Sequence, residues 1–194
     1  DAVFGAACRR FLGVRPLAVT ARSRLGIRLR VDTPLQVGAD RILNALAAFR
    51  LFGGPAVVID FGTATTFDCV SARSEYLGGA ILPGPHLAAK ALALYTAKLP
   101  LVEPLRPRRV IGKNTVECIQ AGLYYGYLGM VEGVLARTLA ELRSRRRVVV
   151  LATGGLSALF AKDISRLDRV VPDLTLQGLR LAHEILRQSG RKSA

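Results

Sequence analysis

Residues 59–68, IDFGTATTFD, place two aspartates around a run of glycine and threonine, directly after the apolar residues Ala56, Val57, Val58 and Ile59. A strand over 56–60 would deliver Asp60 to its end, and Gly62 would let the backbone pass close to a ligand. Thr63, Thr65 and Thr66 then offer hydroxyl and N–H donors. Donors for an anion beside a carboxylate for a cation suit phosphate oxygens. An ordinary hairpin with Asp and Thr as turn formers uses the same residues. The stretch alone leaves both readings open.

A second acidic position lies in residues 37–45, VGADRILNA, where Asp40 opens a helical pattern between Gly38 and Arg41. Asp40 could be an N-cap. It could also be a general base at the mouth of a cleft, with Arg41 gripping an anionic substrate group. A carboxylate is ionised at neutral pH, as a base must be. Residues 152–158, ATGGLSA, end an apolar strand with Gly154-Gly155 and open a helix, a turn that admits a flat ring or a phosphate. By itself that signal is weak. His86 and His183 are read as a helix-start residue and a structural or exposed one. Tyr124, Tyr125 and Tyr127 fall within one helical turn and cannot all face one side.

The elements that must position these residues alternate along the chain. A helix is expected over 1–12, strands over 16–20 and 26–31, and an amphipathic helix from Asp40 that stops at Gly53-Gly54-Pro55. A domain boundary is placed there. Strands then follow at 56–60, 65–71 and 76–83, a helix at 84–99, and a long helical region from 114 to about 143. The strand 148–153, the helix 157–164, the short strand 169–173 and a final helix 176–188 complete the pattern. Three strands with tight turns, followed by strands alternating with helices, imply a mixed sheet covered by helices. Gly122, Gly126, Gly129 and Gly133 leave a groove on the long helix, for packing within the subunit or across a dimer.

Composition narrows the partners. The 194 residues are 51% hydrophobic and 22% charged, a globular balance. The net charge of +14 raises the question of nucleic acid, but only five of the 28 basic residues are lysines and the arginines are dispersed. Aromatic interleaving for base stacking is missing, so small anionic ligands are favoured over nucleic acid. Cys8, Cys69 and Cys118 have no metal or redox spacing, which suits reduced thiols in a cytoplasmic protein. No signal segment or membrane span is read.

Taken in order, P-x-x-VGADR-x-x-NA, DFGTATTFD, GGAILPG, AL-x3-TAKLP, IGKNT-x4-QAG-x3-G and ATGG, over 34–155, resemble the type III pantothenate kinases, and the tail DLTLQGL is similar to that family's C-terminus. The resemblance implies the fold of the acetate and sugar kinase, Hsp70 and actin superfamily: an α/β, RNase H-like (actin-like ATPase) architecture with two domains around a nucleotide cleft. Residues 1–54 would be the end of the first domain and 55–194 the second. It implies ATP-dependent phosphorylation of pantothenate to 4′-phosphopantothenate, the first step of coenzyme A synthesis. ATP with Mg2+ and a monovalent cation, potassium or ammonium, are the implied cofactors, and a homodimer is the implied assembly. Gly38, Ala39, Asp40 and Arg41 would line the pantothenate site, with Asp40 as base. Asp60 would hold the monovalent cation. Gly62 and Thr63 would meet ATP phosphate, and Gly154 and Gly155 would lie near adenosine. Thr115 would contact pantothenate across the dimer interface.

Two departures accompany the resemblance. The family's opening Asp-x-Gly-Asn-Thr phosphate loop does not occur in these 194 residues, whose start resembles the middle of the family's first domain. The first domain is therefore expected to be incomplete here, and ATP binding and turnover by residues 1–194 to be weak. Val31 stands where many members have a pantothenate-contacting tyrosine. The alternative function is a non-catalytic paralogue acting as a transcriptional accessory factor, Bvg accessory factor-like.

Overall fold

The structure, a computed structural model, describes residues 2–191. Helix α1 (Ala2–Leu12) and the two-residue strand β1 (Arg28–Leu29) precede helix α2 (Ala39–Phe52). A meander of β2 (Ala56–Phe61), β3 (Ala64–Val70) and β4 (Glu75–Pro83) follows, then α3 (Pro85–Leu94). Helix α4 (Thr115–Ala121) runs through a π-turn, Gly122–Gly126, into α5 (Tyr127–Leu142). The chain closes with β5 (Val149–Thr153), α6 (Ser157–Phe160), β6 (Arg169–Val170) and α7 (Leu174–Arg191).

The strands form one mixed sheet in the order β1-β4-β3-β2-β5-β6. The meander pairs are antiparallel, whereas β5 lies parallel to β2, β6 parallel to β5 and β1 parallel to β4. Successive side chains of a strand point to opposite faces. Val57, Ile59 and Phe61 pack with Tyr124, Tyr127, Val131, Leu135 and Phe160 beneath α5. Ala56 and Val58 pack with Ala45, Ala48, Tyr76 and Leu174 on the face covered by α2 and α7. Parity therefore sends Asp60 toward α2. It does the same for Asp68, which stands opposite Val58, and sends Thr65, opposite Phe61, toward α5.

Helix α2 is amphipathic by sequence, yet every residue from Ile42 to Ala48 is buried, because α7 covers the side that the sheet does not. Small alanines allow that sandwich. The strand expected over 16–20 is irregular instead, and Leu17 is exposed: among the described residues no strand pairs with it. The strand over 26–31 contracts to Arg28–Leu29, bonded through Arg28 N to Ser74 O and Arg30 N to Tyr76 O. Helix α3 stops at Leu94 rather than 99, where Thr96 Oγ1 bonds the Leu92 carbonyl and accepts the Leu99 N–H. Among the described residues no helix is long and apolar enough to cross a membrane.

Candidate functional site

Strand β2, inside the sheet, carries Asp60 half-buried to near its C-terminal end, with Thr153 of β5 beside it in register. Asn44, four residues after Asp40 on α2, donates from Nδ2 to Asp60 Oδ2 at 2.9 Å. Asp60 Oδ1 carries no hydrogen bond among the described residues. Gly154 closes over that oxygen. It has φ +87°, and a Cβ there would lie 2.5 Å from Asp60 Oδ1 and 2.7 Å from the Phe61 carbonyl. Only glycine combines that backbone with that approach.

Asp40 is exposed in the first turn of α2, and its Oδ1 accepts the Arg41 N–H at 2.9 Å. Its charge reaches Asp60. Burial pushes the Asp60 carboxyl above the ordinary carboxylate range, the Asn44 donor pulls it back, and the Asp40 carboxylate adds a smaller upward push. Two acidic motifs twenty residues apart thus face one region. Gly62, Thr63 and Gly155 line a neighbouring cavity of about 410 Å3 with His86 and Lys90. Lys90 was not singled out from sequence, because its place in α3 shows no motif.

Two of the three threonine hydroxyls are bonded within the protein. Thr65 is buried on the α5 face and hydrogen-bonds the Tyr127 hydroxyl, and Thr66 Oγ1 donates to Asp68 Oδ2 at 3.1 Å. The threonines alternate between faces of a strand, so a run of hydroxyls in sequence is not a run in space. Thr63, outside the strand, stays exposed.

Arg41 turns away from Asp40 toward the sheet. Its Nε bonds Asp68 Oδ1 at 2.7 Å, its Nη2 bonds the Phe67 carbonyl at 3.1 Å, and the guanidinium lies 5.6 Å from the centre of the Tyr76 ring. Asp68 is fully buried and also accepts from Tyr76 Oη at 3.1 Å. Burial pushes its carboxyl up to about 6, against the downward pull of Arg41 and the other donors. Sequence reading missed this role of Asp68, which needs α2 laid across β3.

Gly38 and Ala39 lead into Asp40 as N-cap and first residue of α2. Thr115 does not join them. It opens α4 behind the Asn114 cap and lines an apolar groove of about 940 Å3 between α3 and α4, with Leu87, Tyr95 and Ile119. Val31 packs at the edge of the core under α2 and lies 3.5 Å from where a Gly78 Cβ would stand.

These features define an α/β protein whose candidate site lies at the strand ends where β2 and β5 leave the sheet, a place at which open α/β sheets bind ligands. The sequence profile of type III pantothenate kinase matches residues 1–137. The type III pantothenate kinase of Moorella thermoacetica is 51% identical over 173 residues, which are 89% of this chain and 67% of that protein. The one from a Roseiflexus species is 51% identical over 184 residues, 95% of this chain and 71% of that protein. The chain thus spans about two thirds of the length of these relatives. It belongs to the type III pantothenate kinase family. A solved structure from Campylobacter jejuni, described as a Baf-family transcriptional activator, has a TM-score of 0.53 at 17% identity and covers 86% of this chain and 72% of that one, a likeness of fold.

Proposed function

We propose that this protein transfers the γ-phosphoryl group of ATP to the 4′-hydroxyl of pantothenate, giving ADP and 4′-phosphopantothenate in the first step of coenzyme A biosynthesis. The observation that carries this reading is Asp60 at the end of β2, its Oδ1 left open under the Gly154 turn and its Oδ2 tied through Asn44 to the helix that Asp40 opens, in a chain of this family. Phosphoryl transfer asks for positioning and charge neutralisation more than for covalent help. Asp40 is exposed and accepts the hydroxyl proton as the oxygen–phosphorus bond forms and the bond to ADP breaks. Gly38 and Ala39 flank the substrate. Arg41 spends its Nε–H and one Nη2 hydrogen on the sheet, so the Nη1 hydrogens and the second on Nη2 are left to orient a substrate carboxylate. Gly62 and Thr63 meet the phosphates, and Gly154 and Gly155 lie beside adenosine.

The donor set fits a weakly held cation. Asp60 Oδ1 is free of protein donors under the Gly154 turn, and no three His, Cys, Asp or Glu side chains converge among the described residues. Asp60 would hold potassium or ammonium there, with remaining oxygens from backbone, water or phosphate, and the ion would supply positive charge beside ATP, which arrives with Mg2+. Thr115 would act across a homodimer: it lines a second, apolar groove that meets the one shared by Gly62, Thr63 and Gly155 only at Leu87, and that groove exposes Leu87 and Tyr95. The antiparallel meander continued by parallel β5 and β6 supports an RNase H-like, actin-like ATPase unit over 55–194. The remaining 1–54 would belong to a first domain, although α2 packs against this sheet. The protein would work in the cytoplasm.

Pantothenate-dependent ADP release by the protein expressed from its full gene, in potassium and again in sodium, tests the reading. Asp40→Asn keeps the shape and removes the base, and a fall in kcat of about 10²-fold or more is expected. ADP release that ignores pantothenate, or an Asp40→Asn variant as fast as the parent, would refute it and leave the accessory-factor reading.

A further inference from the structure

One polar residue interrupts the buried run of α2. Asn44 is fully buried among alanines and leucines, where an amide must find partners. It finds two. Nδ2 donates to Asp60 Oδ2 at 2.9 Å, and Oδ1 accepts from Thr175 Oγ1 of α7 at 2.6 Å. The contact spans 131 positions of sequence. Close packing holds it in place: a Cβ on Gly178 would lie 2.3 Å from the Leu43 carbonyl, so α7 rests directly on the α2 backbone beside Asn44. Thr175 lies three residues before Gly178 and so shares its face.

The chemistry of the three groups fixes their direction. An ionised carboxylate can only accept, so the amide nitrogen of Asn44 must face Asp60. Its oxygen must then face α7, where a hydroxyl has to donate. Without that hydroxyl the buried amide oxygen would have no donor, and the bond to Asp60 alone would hold the amide in place. We infer that Thr175 and Asn44 are positioning residues for the cation site, through which α7 holds Asp60 with Oδ2 occupied and Oδ1 presented to the Gly154 turn. This rests on the reading of Asp60 as the cation ligand given above.

The test follows the melting temperature of the full protein with Mg-ATP as KCl replaces choline chloride at constant ionic strength, and the KCl concentration for half-maximal kcat. The parent should respond to KCl. Partners behind a metal ligand typically change metal affinity by about 10–100-fold, so Thr175→Val should raise both KCl midpoints by about tenfold. Thr175→Ser should restore them, and the KM for pantothenate should move little. Asn44→Ala gives the same readout should the valine variant not fold. Leu181→Ala, which loosens the same α2–α7 packing without touching the relay, should lower the melting temperature and leave the KCl midpoint unchanged. A parent indifferent to KCl removes the cation reading of Asp60 and the inference with it. A responsive parent whose midpoint is unchanged in both Thr175→Val and Asn44→Ala, or is shifted equally by Leu181→Ala, overturns the inference alone.

Discussion

Asp60 and Asp68 sit on adjacent strands, on the same face of one sheet, and both carboxyls are raised by burial. Their surroundings are opposite. Asp68, in the middle of β3, is closed in by Arg41, Tyr76 and Thr66. Asp60, at the end of β2, has one donor and an oxygen left open under a glycine turn. A carboxylate with donors on both oxygens is part of the scaffold. One left half satisfied at a strand end is available to a ligand. The α2 helix serves both, presenting Arg41 to the closed site and Asn44 to the open one while Asp40 stands exposed between the two roles.

Removing the cation of the closed site should have the largest effect. Arg41→Met leaves a buried carboxylate without its partner, which costs about 3–5 kcal/mol when the charge stays. Loss of Arg41 would raise the Asp68 carboxyl beyond its present value of about 6. A group whose folded pKa is raised stabilises the fold below its unfolded value and loses that contribution as pH rises through the folded one. The destabilisation by Arg41→Met, measured by urea unfolding, should therefore be full at pH 8 and distinctly smaller at pH 5. Equal destabilisation at both pH values would mean that Asp68 is not the group Arg41 serves.

At the open site the balance between stability and chemistry reverses. Asp60→Asn keeps an acceptor for Asn44 and removes a charge that burial disfavours, so the melting temperature should hold or rise at neutral pH. Activity should fall by about 10²-fold, the scale on which preorganised electrostatic groups act, and the difference between potassium and sodium should vanish. A variant that lost stability and kept its cation response would place Asp60 with Asp68 as scaffold.

What the sequence disclosed follows the same division. Asp40, Asp60 and the glycine turns lie at element ends, where composition changes within a few residues, and periodicity placed β2, β3, β4 and α2 to within a residue or two. The strand expected over 16–20 failed because an apolar run needs a paired edge that only the fold can supply. Thr65 and Thr66 were offered to a ligand together with Thr63 although the strand expected over 65–71 already contained them, and strand alternation sends their hydroxyls to opposite faces. The partners of Arg41 and Asn44 lie 27 and 131 positions away. One signal for Asn44 was present: an amide inside the run ILNALAA must have a partner if that run is buried.

The smallest effect tests whether the closed site is as fully satisfied as its geometry says. Thr66→Val keeps the β-branched shape that a strand favours and removes the donor to Asp68 Oδ2 at 3.1 Å. One hydrogen bond contributes about 1 kcal/mol net, and the valine keeps its place in β3 opposite Asp60. A loss of about 1–2 kcal/mol in stability is expected at pH 7, because the donor serves an ionised oxygen. Protonation of Asp68 should shrink that loss at pH 5, and kcat should stay within about twofold of the parent. Should Thr66→Val instead depress kcat as Asp60→Asn does, the hydroxyl would belong to the open site, and the boundary between scaffold and chemistry would run along β3 rather than between the two strands.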